Sequence, residues 1–221
     1  MYETRFMKLK EVAVFSLADV SQIVSGKAYA KKLLKRMIGA GEIKRIMRDI
    51  YTFHDDPLLI SSFLIKPSYV SSVSALSFHK LIDQIPKDVF CFTLKPKRKL
   101  RFLSDIYFIK TKYFFGFENK EYLGFNVPMA TPEKAIIDSF GIVPVSIFEE
   151  ALENINLEKM ISYLKRTKKS SIIKRVGYLL EKKGFDVTLL RKKINRRYIY
   201  LDPIARKSGV RNKIWGIIDN T

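Results

Sequence analysis

The clearest hydrophobic pattern in the chain lies between residues 27 and 40. Apolar residues recur there at spacings of three and four, as on one face of a helix, at Ala30, Leu33, Leu34, Met37 and Ile38. Basic residues occupy the positions between them, and Lys32 and Lys35 project almost opposite to the apolar stripe. The pattern therefore predicts a helix that buries one face and presents a basic face to solvent.

The residues before this helix predict a second, shorter helix. Ser16 can cap a helix that begins at Leu17, with Asp19 as a short form of the capping-box acid. Its apolar stripe is followed by Ser25-Gly26, a short turn in which Gly26 can adopt a positive φ. Two helices joined by a short glycine turn are typical of a helix-turn-helix.

The residues after the basic helix predict a β-hairpin. Gly41 ends the helix, and two short strands, Glu42–Met47 and Ile50–Phe53, then flank Arg48-Asp49. A glycine turn, a basic helix and a hairpin in this order indicate a winged helix-turn-helix, which binds duplex DNA through its second helix. A small helical domain with a solvated charged face is the alternative.

The basic side chains of this motif, together with one tyrosine, are the predicted DNA contacts. They are Lys27, Tyr29, Lys31, Lys32, Lys35 and Arg36 on the helix, with Arg45 and Arg48 on the hairpin. Lysines contact phosphates, whereas base readout favours Arg, Asn or Gln, and the helix has one Arg and neither amide. We therefore expect modest specificity at one site, raised by pairing repeated sites on the DNA.

Charge is unevenly distributed along the 221 residues, which carry a net charge of +19. Residues 55–164 have 13 Lys/Arg and 13 Asp/Glu, whereas residues 165–216 have 17 and 3. A neutral middle between two basic ends indicates a polyanionic partner, either nucleic acid or an anionic membrane. No apolar run approaches the roughly 18 residues that span a bilayer, and the first residues do not resemble a signal peptide. We expect a cytoplasmic protein without a membrane partner.

Composition also argues against a metal or cofactor. The single cysteine, Cys91, excludes an internal disulfide, and two histidines are too few for a histidine-rich metal site. Glu118-x-Lys120 and Glu181-x-Lys183 match half of a nuclease signature, but no convincing preceding Asp accompanies them, and no Gly-rich phosphate loop is present. We expect a protein that is not an enzyme and needs no cofactor.

The rest of the chain predicts a larger mixed domain. The break at His54-Asp55-Asp56-Pro57 places a domain boundary there, giving a winged helix-turn-helix over residues 1–56 and an α/β domain with a helical C-terminal part over residues 57–221. The fold class is therefore α+β. The predicted elements include strands at Asp88–Leu94 and Ile106–Lys110, a basic turn at Lys95–Arg101, and helices at Ser146–Ile155, Leu157–Arg166 and Ser170–Lys183.

Four short motifs, in order along the chain, resemble the AbiEi-type antitoxins, which are transcriptional regulators of type IV toxin–antitoxin (abortive infection) systems. They are Pro67–Ser71 with Ser74-Ala75-Leu76 and His79, Ala130–Ala135 with Asp138, Lys174–Glu181, and Leu201-Asp202-Pro203 with Gly209, Asn212 and Trp215. The motif residues singled out by this resemblance are Ser68, Tyr69, Ser71, Ser74, His79, Thr131, Glu133, Lys134 and Asp138.

The resemblance implies an N-terminal winged helix that represses its own operon by binding double-stranded promoter DNA. It also implies a larger C-terminal region that opposes a nucleotidyltransferase-like toxin, without a stable complex between them being required. One departure concerns the hairpin tip, where relatives often have Arg-Gly and this chain has Arg48-Asp49. A ligand-responsive winged-helix regulator without a toxin, and a metal-dependent nuclease, are the alternative functions.

A candidate second basic surface lies near the C-terminus. It comprises Lys192, Lys193, Arg196 and Arg197, close in sequence to Tyr198 and Tyr200. Basic residues beside aromatic ones favour single-stranded nucleic acid. A second DNA-contacting surface, an RNA-related role in antitoxicity and a solvated face of helices are the alternatives that stay open.

Overall fold

The computed structural model describes residues 6–24 and 26–221, and the chain has a mixed α+β fold. In this part of the chain the strands form three sheets. The helices are α1 (Leu17–Ile23), α2 (Lys27–Gly39), α3 (Pro57–Leu64), α4 (Ser72–Phe78), α5 (Pro132–Ser139), α6 (Leu157–Thr167) and α7 (Ser170–Lys182). The strands are β1 (Phe15–Ser16), β2 (Lys44–Met47), β3 (Ile50–Thr52), β4 (Ser68–Val70), β5 (Val89–Thr93), β6 (Arg98–Phe102), β7 (Ser104–Lys110), β8 (Phe117–Tyr122), β9 (Phe125–Ala130), β10 (Ile199–Tyr200), β11 (Val210–Asn212) and β12 (Ile217–Asp219).

The N-terminal elements enclose their own apolar core. The first sheet has the order β1-β3-β2, and all its pairings are antiparallel. Val20 of α1, Leu34 of α2 and Phe15 of β1 are buried together in that core. The predicted helices and their cap are confirmed, because Asp19 N donates to Ser16 Oγ at 3.2 Å and Ser16 N to Asp19 Oδ2 at 2.7 Å. Ile38 was predicted to be buried and is instead 40% exposed, since it lies at the edge of the stripe.

The largest sheet has six strands in the order β6-β7-β5-β4-β9-β8. Parallel pairing of β5 with β7 confirms the two strands that alternation predicted. The predicted basic turn at Lys95–Arg101 is wrong, because its second half belongs to β6, which pairs antiparallel with β7 at the sheet edge. Edge strands carry charged side chains that hide the alternation on which strand prediction depends.

The C-terminal part is helical and ends in a small third sheet. The predicted helices at Leu157–Arg166 and Ser170–Lys183 correspond to α6 and α7. The predicted helix at Ser146–Ile155 is wrong, because this stretch forms two short 3₁₀ turns, Val145–Ile147 and Glu150–Asn154. The third sheet has the order β10-β12-β11.

The chain divides by its contacts into two units. The first comprises the described part of Met1–Tyr69 with Lys87–Lys110 and Asn119–Pro128, and the second Val70–Pro86, Thr111–Glu118 and Met129–Thr221. A functional boundary near residue 56 stays a prediction. Among the described residues no helix is long and apolar enough to cross a membrane.

Candidate nucleic-acid interface

Gly26 sets the start of the basic helix. It is the N-cap residue of α2 and has φ +99°, a conformation that glycine adopts without steric cost. Ser25, the other residue of the predicted turn, lies outside the described residues. The first backbone bond of α2 runs from Ala30 N to Gly26 O at 3.1 Å. The N–H groups of residues 27–29 therefore precede the intrahelical ladder, and the positive end of the helix dipole lies there.

The buried face of α2 fixes the direction in which its basic face points. Ala30, Leu34 and Met37 are buried against the N-terminal core. All the predicted contact residues of this helix are exposed, namely Lys27, Tyr29, Lys31, Lys32, Lys35 and Arg36. Within residues 6–24 and 26–221, none of these cations forms an ion pair with a carboxylate. Their charge is thus available to a polyanionic ligand.

The β2–β3 hairpin ends in a tip that is tied to α1. Asp49 has φ +61°, a left-handed conformation that Asp tolerates better than most residues. Its carbonyl accepts from Leu17 N, the first residue of α1, at 3.0 Å. Arg48 beside it has a side chain that is 91% exposed, with its Nε 3.8 Å from Asp49 Oδ2. The hairpin therefore presents the exposed Arg48 side chain from a tip whose backbone is bonded to α1.

Arg45, the other predicted hairpin contact, lies on β2 opposite Tyr51. Its side chain is exposed, and its Nε donates to Met47 O at 3.3 Å. A register irregularity separates Arg45 from Met47 and bends the strand there. Both hairpin arginines therefore reach solvent.

Several residues of the family-like motifs form a buried polar cluster in the second unit. Lys134 is 0% exposed and pairs with Asp138 one helical turn later on α5. The other carboxylate oxygen of Asp138 accepts from Ser71 Oγ at 2.8 Å. The Lys134 ammonium also lies 5.5 Å from the centre of the Phe115 ring. The cluster thus joins residues that are 67 positions apart in sequence, and it is closed to solvent.

Other motif residues also have structural partners. Glu133 is buried, and its Oε1 accepts from Asn156 N at 2.9 Å, which links α5 to the start of α6. His79 Nε2 donates to Ala130 O at 2.8 Å. Thr131 is the N-cap residue of α5, and its side chain makes no capping bond. Ser74 is buried in α4. These positions therefore shape the second unit from within.

The two remaining motif residues, Ser68 and Tyr69, lie on β4 in the first unit. Ser68 Oγ donates to Ile65 O at 2.6 Å, and it lies 3.2 Å from Ser62 O. Tyr69 is buried and stacks on Phe92 of β5. Nearly all the motif residues are therefore buried away from solvent, which the sequence pattern does not indicate.

The residues of the predicted second basic surface lie just before β10 of the third sheet. Lys192, Lys193, Arg196 and Arg197 are all exposed. Four further exposed cations, which the sequence pattern does not single out, lie in or beside β11: Arg206, Lys207, Arg211 and Lys213. Arg211 could not be predicted because β11, which contains it, is only three residues long, so no alternation reveals the strand. The pairing of β11 with β12 places Arg211 in the third sheet, opposite Ile218.

Glu181, from one of the two nuclease-like Glu-x-Lys matches, has a structural role. Glu181 of α7 accepts from Arg191 at 2.7 Å and from the indole nitrogen of the buried Trp215. The hydrogen bond from Arg191 is the main reason why the pKa of Glu181 is lowered from its usual value. This carboxylate therefore fastens the C-terminal segment to α7.

A scan against protein-family models and a search of curated proteins found no match to this chain.

Proposed function

We propose that the chain is a DNA-binding transcriptional autorepressor in which α1, α2 and the β2–β3 hairpin act as a winged helix-turn-helix. The observation that carries this proposal is the outward face of α2, where exposed cations without carboxylate partners follow a glycine turn. The hairpin adds Arg45 and Arg48 on the next element of the chain. This order of elements matches the geometry by which such motifs contact a major groove and the adjacent backbone.

On DNA, the start of α2 enters the major groove. Lys31, Lys32 and Lys35 contact phosphates on its two sides, and the N–H groups of residues 27–29 add donors at the helix start. Arg48 reaches the backbone or the minor groove from the hairpin tip. A footprint of about six phosphate contacts releases counterions, so log K falls against log salt with a slope of about −5.

We further propose that the repressor is the antitoxin of a type IV toxin–antitoxin system and opposes a nucleotidyltransferase-like toxin. Support comes from the four motifs in order along the chain and from the N-terminal elements that precede them. The buried cluster around Lys134 gives the second motif a scaffold role, so any surface that opposes the toxin lies outside this cluster. Direct contact with the toxin is not required by this proposal.

A promoter–reporter assay in cells tests the repressor proposal. The upstream DNA of the gene drives a reporter, and the chain is supplied from a second plasmid as wild type, as Lys31→Ala/Lys35→Ala, or as Lys95→Ala/Lys97→Ala. The last pair removes the same charge from exposed positions outside α2. We expect repression by the wild type and the Lys95/Lys97 control, and loss of repression in the α2 variant. Equal repression by all three proteins would overturn the assignment of α2.

The antitoxin proposal needs a separate test. The genes beside this one are induced one at a time in cells with and without the chain. We expect one neighbour to arrest growth, and the chain to restore growth even when it carries Lys31→Ala/Lys35→Ala. If no neighbouring gene arrests growth, or if the chain does not relieve the arrest, the antitoxin proposal is wrong. The repressor proposal is unaffected by that result.

A further inference from the structure

The third sheet carries two tyrosines and an arginine on one face. Tyr200 of β10 lies in register with Ile218 of β12, and Ile218 with Arg211 of β11, so one row of side chains crosses the sheet. Tyr198 lies two residues before Tyr200 and immediately before β10, where continued extended backbone projects it to the same face. The Arg211 guanidinium lies 5.6 Å from the centre of the Tyr198 ring, which is consistent with that placement. We refer to Tyr198, Tyr200, Ile218 and Arg211 as the tyrosine face.

The opposite face of this sheet is packed at its central strand, β12, whereas Val210 at the β11 edge is 77% exposed. Ile217, one position before Ile218, is fully buried, whereas Ile218 is half-buried and Tyr198 is 38% exposed. Alternation along β12 therefore separates a core side from a side that reaches solvent. An exposed tyrosine beside an exposed arginine is a surface on which planar groups stack.

Hydrogen bonds from α7 and β12 hold the backbone of this face in place. The buried Lys174 ammonium donates to Arg197 O, and Arg175 Nε donates to Tyr200 O at 3.0 Å. Ile199 N donates to Gly216 O at 3.0 Å. A ligand that binds here consequently meets a backbone that is already ordered, which lowers the entropy cost of binding.

Exposed cations flank the tyrosine face along the chain. They are Lys192, Lys193, Arg196 and Arg197 before β10, and Arg206, Lys207 and Lys213 around β11. The Tyr200 hydroxyl donates to Lys207 O at 3.2 Å, which holds the backbone of Lys207 beside the tyrosine face.

Nearby carboxylates are used internally. Asp202 is buried and accepts from Val145 N at 2.9 Å and from Ile204 N at 2.8 Å, and Asp219 accepts from the Tyr178 hydroxyl at 2.7 Å. These carboxylates accept hydrogen bonds from backbone N–H groups and from Tyr178, and none of these donors is a flanking cation. The surroundings of the tyrosine face therefore attract a polyanion.

We propose that the tyrosine face is a binding site for single-stranded nucleic acid, separate from the duplex-binding face of α2. Unpaired bases stack on Tyr198 and on the Arg211 guanidinium, and phosphates contact the flanking cations. A duplex fits this face less well, because its bases are stacked on each other and offer no free ring surface to a tyrosine. A small sheet that presents aromatic rings beside basic residues is a recurrent way of holding single strands.

Fluorescence anisotropy with the full chain tests this proposal. The probes are fluorescein-labelled U16 RNA, dT16 DNA and a 16-base-pair duplex of unrelated sequence, each titrated over a salt series. The proteins are the wild type, Tyr198→Ala, Tyr198→Phe and Lys31→Ala/Lys35→Ala. Tyr198→Phe keeps the ring and loses only the hydroxyl, so it is the matched control for Tyr198→Ala. Thermal unfolding of each variant checks that the exposed substitution leaves the fold intact.

We expect the wild type to bind U16, dT16 or both, with Tyr198→Ala weakening that binding by at least about fivefold. Tyr198→Phe and the α2 variant should stay within about twofold of wild type on single strands. The comparison of U16 with dT16 shows whether the ribose hydroxyl contributes, and either ranking supports the site. Single-strand binding unaffected by Tyr198→Ala, lost equally in Tyr198→Phe, or absent altogether would overturn the proposal. Loss of single-strand binding in the α2 variant would also overturn the proposal, because it would show that α2 binds the single-stranded probes.

Discussion

Removing the charge of Asp138 should cost the second unit more stability than any other conservative substitution among the motif residues. Lys134 is fully buried, and Asp138 is its counter-charge one turn along α5. Asp138→Asn preserves side-chain volume and an oxygen that can accept from Ser71 Oγ, so the main loss is the negative charge. A buried ion pair that loses one partner is destabilised by about 3–5 kcal/mol, because the other charge stays in a low-dielectric interior.

Two further variants distinguish the cost of removing the Asp138 charge from the cost of losing its hydrogen bond with Ser71. Ser71→Ala removes only the bond to Asp138 and should cost about 1.5–3 kcal/mol, as is typical for a bond to a charged group. Lys134→Met/Asp138→Asn removes both charges, and we expect it to be at least about 2 kcal/mol more stable than Asp138→Asn alone. That result would show that the unpaired charge of Lys134, rather than a weakened hydrogen bond, accounts for the stability lost in Asp138→Asn.

Equilibrium urea denaturation followed by circular dichroism measures these differences. A cost of about 3 kcal/mol lowers the urea midpoint by about 1–2 M for a typical dependence on denaturant. A midpoint for Asp138→Asn within about 0.3 M of wild type would refute the reasoning, as would a double variant less stable than Asp138→Asn. If Asp138→Asn folded normally and still lost the ability to oppose a toxin, the cluster would be functional rather than structural.

Three further predictions follow from other positions. Asp49→Asn should tighten duplex binding about two- to fivefold at low salt, measured by anisotropy, because it removes a negative charge from the hairpin tip. Gly177→Ala should lower the free energy of unfolding by about 1–3 kcal/mol in urea denaturation, since a Cβ there would lie 2.3 Å from the ring of Trp215. Glu181→Gln should lower the free energy of unfolding most at neutral pH. The hydrogen bond from Arg191 lowers the pKa of Glu181 in the folded protein. The difference in unfolding free energy between wild type and variant is therefore fully present above pH 4.5, and it shrinks as the pH falls through the lowered pKa.

Each of these has a matched control and a contradicting result. Asp49→Glu keeps the charge, so a similar gain in affinity there would contradict the electrostatic explanation. Gly39→Ala lies in α2 with open space around the new Cβ and should stabilise by up to about 1 kcal/mol, whereas equal effects at both glycines would contradict the packing argument. A gap for Glu181→Gln that stays constant from pH 7 to pH 3 would show that its carboxylate charge is not involved.

The N-terminal elements could be predicted closely because their signals are local. Ser16 and Asp19 cap α1, Gly26 begins α2, and the spacing of Ala30 and Leu34 fixes the buried face. Each of these depends on residues within one or two turns of the same helix. The hairpin was predictable for the same reason, as its two strands are separated by the two residues of its tip.

The C-terminal part was harder to predict because its signals are distant in sequence. The pair Lys134 and Asp138 shows helical spacing, yet only the fold brings Ser71 to it and buries all three. The tyrosine face requires β10, β12 and β11 to align, and β10 and β11 are two and three residues long. Strands this short carry no periodicity, so Arg211 could not be placed beside Tyr198 from the sequence.

The most direct test of the central claim is anisotropy of the purified chain on the upstream DNA of its gene. A scrambled duplex of equal length, a salt series, and the variants Lys31→Ala/Lys35→Ala and Lys95→Ala/Lys97→Ala complete the experiment. We expect tight binding to the upstream fragment, weaker binding to the scrambled one, and a salt slope that falls by about 2 only in the α2 variant. Equal binding of both duplexes by all three proteins would contradict the claim that α2 reads the DNA.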